Sequence, residues 1–246
     1  MIGRPELFWQ LYIILISIII LTSFYLSGFL KQKKLKNLSY LILPALYITS
    51  SLSLFILSQK SLTQHVFLIG ISIVLAIVLN NISTLSHYHL EIKKQVILKS
   101  EQDKKRRVLL TVNQALIILT AFFALGSLFG IIYLLSFAIW QALIIAVIII
   151  FLLSLQFLNE IFLAKRAVVY ASVTSLGLAQ IFWSLTFWPT NYIANSVVLI
   201  ASLYIILGIL EHYAREALNK KLIKAYFSIA IIVIISVLTT AQWKPQ

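Results

Sequence analysis

The sequence predicts an all-α fold: a polytopic membrane helix bundle of about eight transmembrane helices, with both termini on the non-cytoplasmic side. Three observations carry that prediction. Of the 246 residues, 61% are hydrophobic and only 11% are charged, whereas a soluble domain carries roughly a quarter charged residues. A chain of this composition has too little polar surface to face water, so lipid must be its main solvent. The apolar residues fall in runs long enough to cross a hydrocarbon core, which takes roughly 20 residues of helix. The basic residues gather in every second interval between those runs, as Lys and Arg do in cytoplasmic loops.

The runs are rich in Ile and Val, which in water would suggest strands. In lipid an open strand leaves backbone groups unpaired, so helices are expected. Barrel strands would alternate in polarity, and these runs do not. The first run covers residues 8–30. It is too long for a signal-peptide core, lacks a small-residue cleavage site and ends in Lys31, Lys33, Lys34 and Lys36, so it reads as a retained span. The second covers 38–57 and contains Pro44, which removes one backbone donor and is expected to kink the helix. The third covers 66–86.

A polar interval, 87–107, follows with seven Lys and Arg residues. Residues 108–159 then carry no charge, and those 52 residues make two spans with a tight turn, placed near Gly126–Gly130 or slightly later. The remaining spans are 167–188, ended by Pro189, then 192–210 and 222–241. All belong to one integral membrane domain, residues 1–246.

Seventeen of the 20 Lys and Arg residues fall in one set of connections, leaving Arg4, Lys60 and Lys244 for the other side. The larger set is expected to be cytoplasmic in the cell membrane. Trp9, Trp140, Trp183, Trp188 and Trp243 then lie toward the opposite side, while Tyr25, Tyr40, Tyr88, Tyr170, Tyr213 and Tyr226 lie toward the cytoplasm. Both ring types favour the headgroup zone, so they mark the span ends.

The net charge of +13 could suggest nucleic acid, but basic flanks of membrane spans account for it, and no nucleic-acid partner is expected. The chain has no Cys, which excludes disulfides, thiolate metal sites and thiol nucleophiles. It has no Walker loop, kinase motif, GxSxG or HExxH. No charged residue sits at the centre of a span, as a carboxylate-based ion-coupled carrier would require. No cofactor is therefore expected beyond a divalent metal at the site described next.

His87-Tyr88-His89-Leu90-Glu91 and His212-Tyr213-Ala214-Arg215-Glu216 share the pattern H-Y-x-x-E at an offset of 125 residues. This suggests a 4+4 parallel repeat with halves 1–130 and 131–246, of a kind found in transporters; coincidence at similar membrane exits is the alternative. On a helix, i and i+4 share a face. His87 with Glu91 and His212 with Glu216 could thus offer four ligands to a divalent metal, or an acid/base pair. The plain alternative is juxtamembrane residues that pair locally, as Glu211 and Arg215 would.

Two further clusters stand out. Asn80, Thr84, Asn113, Gln114, Asn159 and Glu160 all fall in the inner half of the bilayer. They either line a polar vestibule or tie neighbouring helices together. Trp183, Phe187, Trp188 and Tyr192 gather where the sixth and seventh spans meet. They form an outer aromatic pocket or simply an interfacial belt.

Three functional classes follow. The first is a structural, sensory or complex-forming membrane component whose 87–107 segment contacts anionic lipid or a cytoplasmic protein. The second is a transporter or channel for a neutral or lipidic substrate. The third is a membrane-embedded enzyme using the His/Glu pairs. A homo-oligomer is compatible with each.

Overall fold

The structure, a computed structural model, describes residues 39–57, 70–81, 84, 99–188 and 190–240. The first apolar run, Trp9, Trp243 and residues 85–98 lie outside them. Every regular element among the described residues is a helix: α1 (Ser39–Leu57), α2 (Gly70–Asn81), α3 (Lys99–Leu135), α4 (Ile139–Asn159), α5 (Ala164–Leu185), α6 (Tyr192–Ala214) and α7 (Lys220–Thr240). Five are long and apolar enough to cross a membrane: Val108–Leu135 within α3, and α4 to α7. Two shorter apolar stretches, Ile42–Phe55 in α1 and Gly70–Asn81, accompany them. The chain is therefore a helical membrane protein.

Two compact units divide the chain, Met1–Leu116 and Ile117–Gln246, with the boundary inside α3. In the first unit, the buried Tyr47 of α1 donates its hydroxyl to the Ile71 carbonyl of α2 at 3.3 Å. Pro44 lies inside α1. The hydroxyls of Thr49, Ser50 and Ser53 donate to carbonyls four residues back, at 2.6 to 2.9 Å. That back-bonding lets polar side chains enter an apolar helix without leaving a donor unpaired in hydrocarbon.

The second unit alternates long helices with short connectors, so successive connectors fall at opposite ends. One end carries Lys165 and Arg166 at the start of α5, and Arg215, Lys220, Lys221 and Lys224 around the start of α7. The other end carries residues 136–138 and the turn after Leu185. Trp140, Trp183 and Trp188 belong to this uncharged end, whereas Tyr170, Tyr213 and Tyr226 belong to the charged one. Tyr133 and Tyr192 also lie at the uncharged end, so tyrosine is not confined to the charged one.

Small side chains let α4 and α5 approach closely. Ala142 and Ala146 of α4, and Ala167 and Ala171 of α5, are each fully buried. Without a hydrophobic drive between helices in lipid, such close van der Waals contact is a main source of association. Phe129 of α3 stacks on Phe182 of α5 with ring centroids 4.5 Å apart, both fully buried. By contrast α7 packs on α6 but leaves Ile223, Phe227, Ile232 and Ile235 exposed. At Gly208 of α6 the Tyr226 hydroxyl comes so close that a Cβ would collide with it.

The turn in the uncharged block lies at 136–138, slightly later than Gly126–Gly130, and both glycines are buried within α3. Glycine weakens a helix in water, but in lipid it lets a neighbouring backbone approach, so it need not end the span. The reversal is made at Ser136, whose φ of 52° is left-handed. An L-residue there costs roughly 1–2 kcal/mol relative to the right-handed region. Ser136→Gly is therefore expected to raise stability by about 1 kcal/mol. A shift in the detergent unfolding midpoint checks it, with Ser136→Val shifting it down.

Candidate functional site

The polar groups form three local arrangements, and each is best understood from its helix ends. The most connected lies at the uncharged end of the second unit. Asn191 caps α6, its side chain accepting from the Ala194 amide at 2.7 Å. One turn into α6, Asn195 is fully buried. Its Nδ2 donates to the Leu185 carbonyl at the end of α5 (3.0 Å) and to the Tyr133 hydroxyl near the end of α3 (3.1 Å). Its Oδ1 accepts from the buried Thr190 hydroxyl, and Tyr133 in turn donates to the Trp188 carbonyl at 3.3 Å. One carboxamide thus joins three helices and the α5–α6 turn, with both donors and its acceptor used. Such a network fixes a unique arrangement because each member is satisfied.

Around this network stand the residues expected to form an outer aromatic pocket. Trp183 and Phe187 meet edge to face, ring centroids 5.6 Å apart, and are 53% and 65% exposed. Trp188 and Tyr192 are half-buried. The first two rings face outward.

At the charged end, the C-terminus of α6 holds the second copy of H-Y-x-x-E. The helix stops at Ala214, two residues before Glu216. Glu216 has a φ of 53° and donates its amide to Tyr213, while the Ala217 amide donates to His212. This pair of bonds is a Schellman cap with glutamate in the position that glycine usually fills. The i, i+4 helical spacing assumed for His212 and Glu216 does not apply past that cap. His212 instead donates from Nδ1 to the Gly208 carbonyl at 2.8 Å; a carbonyl only accepts, so Nδ1 carries the proton. The Tyr226 ring lies 6.1 Å from the imidazole, roughly edge-on. Glu211 pairs with Arg215 at 2.6 Å, the local pairing expected from the sequence.

His87 and Glu91, the other half of the expected metal tetrad, lie outside the described residues. Among the described residues, no group of three or more His, Asp or Glu side chains is placed to hold a metal ion.

The vestibule residues are spread over α2, α3 and α4. Asn80 is exposed, and its carbonyl accepts the Thr84 hydroxyl at 2.8 Å. Its neighbour Asn81 is the buried one, and donates to the Leu109 carbonyl of α3 at 3.5 Å. Asn113 is buried, and its Oδ1 has no partner among the described residues. Gln114 and Glu160 interact with other groups. Asn159 and Glu160 are half-buried at the end of α4. One turn deeper, Gln156 is buried with neither amide atom partnered among the described residues.

Sequence reasoning missed Tyr133, Asn195 and Gln156 as the groups to watch. The available signal was simple: a lone amide inside an apolar run must find a partner or retain water. No curated protein and no solved structure matches the chain. A family model described as a protein of unknown function (DUF5656) matches residues 7–240, nearly the whole sequence. The chain, a helical membrane protein whose second unit carries an amide-centred network at one end and Lys165, Arg166, Arg215, Lys220, Lys221 and Lys224 at the other, belongs to that family.

Proposed function

We propose that the chain is a structural or sensory component of the cell membrane. In this reading its basic connections face the cytoplasm, and the 87–107 segment engages anionic lipid or a cytoplasmic protein. The observation that carries it is the continuity of α3. This helix runs unbroken for 37 residues, from Lys99 through Lys104, Lys105, Arg106 and Arg107 into the apolar stretch ending at Leu135. Its polar part adds about 13 Å of helix beyond the apolar stretch. Whatever binds the basic part therefore engages a segment continuous in sequence and helix with an apolar stretch. Each Lys or Arg near an anionic bilayer surface contributes about 1 kcal/mol of attraction.

Residues 108–159, 167–210 and 225–240 contain no Asp, Glu, Lys or Arg, which supports this reading over an ion-coupled carrier. The test is reconstitution in nanodiscs of anionic or zwitterionic lipid. Anionic lipid is expected to raise the unfolding temperature by several degrees. The joint substitution of Lys104, Lys105, Arg106 and Arg107 by Gln is expected to remove most of that gain. A variant that keeps the full lipid preference, in a protein that crosslinks to no cytoplasmic partner, would refute the proposal.

A further inference from the structure

Gln156 occupies an unusual position for a carboxamide. It is 2% exposed, within a helix apolar enough to span a membrane, and neither Nε2 nor Oε1 has a partner among the described residues. A primary amide offers two donors and an acceptor with two lone pairs. Moving such a group from water into hydrocarbon with nothing bonded costs several kcal/mol. Buried amides are for that reason almost always paired, by protein or by water.

Ser154, also buried and unpartnered, does not present the same problem. A rotation about χ1 brings a helical serine hydroxyl onto the carbonyl four residues back, as Ser172 and Ser202 show at 2.9 Å. Glutamine lacks that short local route.

The surroundings of Gln156 along α4 are directional. Asn159 and Glu160 stand three and four residues further on, and so share its helix face. Both are half-buried, at the end of the unit that carries Lys165 and Arg166. In the opposite direction the next residues on that face are Leu152 and Leu153, and the fully buried Leu153 belongs to the apolar core. Polarity therefore runs from the charged end inward and stops at Gln156.

We propose that Gln156 is the inner end of a hydrated inlet opening at the Lys165/Arg166 end, where its carboxamide binds water or another small neutral molecule that both donates and accepts hydrogen bonds. Ions are disfavoured at this depth because the face holds no charge beyond Glu160 near the mouth. The inlet requires no particular answer about the 87–107 segment, and its test is separate.

The chain has no native Cys, so single cysteines can be read without background. Gln156→Cys, Asn159→Cys and Leu152→Cys would be reconstituted and exposed to a small, polar, uncharged thiol reagent from the Lys165/Arg166 side. The inlet predicts that positions 159 and 156 react at comparable rates and that 152 reacts more than an order of magnitude more slowly. Reaction at 159 with none at 156 would overturn it.

Hydroxyl-radical footprinting of the unsubstituted protein covers the case in which Gln156→Cys misfolds. Water held at Gln156 should oxidise the adjacent Leu153 well above Leu158, which is equally buried but turned away on the same helix. Equal, background-level oxidation of the two leucines would mean a dry amide paired within the protein, and would likewise overturn the proposal.

Discussion

Replacing Asn195 by alanine is expected to lower stability by about 1–3 kcal/mol, because buried partners are left without their hydrogen bonds. The Thr190 hydroxyl loses its acceptor, and the Leu185 carbonyl loses the Nδ2 donor while keeping the Trp188 amide at 3.2 Å. Tyr133 loses a donor to its oxygen but keeps the Trp188 carbonyl as an acceptor. Asn195→Asp should be worse than the alanine variant. An acid cannot donate to Leu185 while charged, and a buried carboxylate lacks a countercharge there. Thermal unfolding in mild detergent measures both. A change near zero for Asn195→Ala would mean that the network is decorative. Tyr133→Phe supplies a graded comparison, since it removes one hydroxyl while keeping the ring, and should cost about 1 kcal/mol.

The second large effect is expected at the α4–α5 contact. Ala171→Leu inserts a larger side chain where a buried methyl faces a closely packed helix, and overpacking of this kind typically costs about 1–3 kcal/mol. The lipid offers no compensating hydrophobic gain for holding the helices together. A matched control is Val173→Leu on the exposed face of α5, which should be nearly neutral. Unfolding midpoints of the pair, compared in one detergent, distinguish a packing effect from a change in overall apolarity. Equal midpoints would contradict close packing at this seam.

Much of the helical layout was legible in the sequence because lipid simplifies the rules. Apolar length and charge placement locate α5 to α7 to within a few residues, since any span must satisfy its own backbone. The turn after α3 was harder, because in a run without charges the cue that remains is glycine. Gly126 and Gly130 stay buried within α3, while an unremarkable Ser136 makes the turn. The polar sites were less legible for a different reason. H-Y-x-x-E looked like a face because the helix was assumed to continue, yet the Schellman cap at Glu216 ends it. Asn195 looked like one polar residue in an apolar stretch. Its importance comes from Tyr133, 62 residues earlier, and that separation leaves no local pattern.

The threading itself is tested most directly by sided labelling in intact cells. Phe137→Cys, in the α3–α4 connector, and Leu218→Cys, in the α6–α7 connector, would each be exposed to a membrane-impermeant maleimide. The account predicts that position 137 reacts in intact cells and position 218 only after permeabilisation. Reaction at 218 in intact cells, or identical behaviour at the two positions, would contradict it.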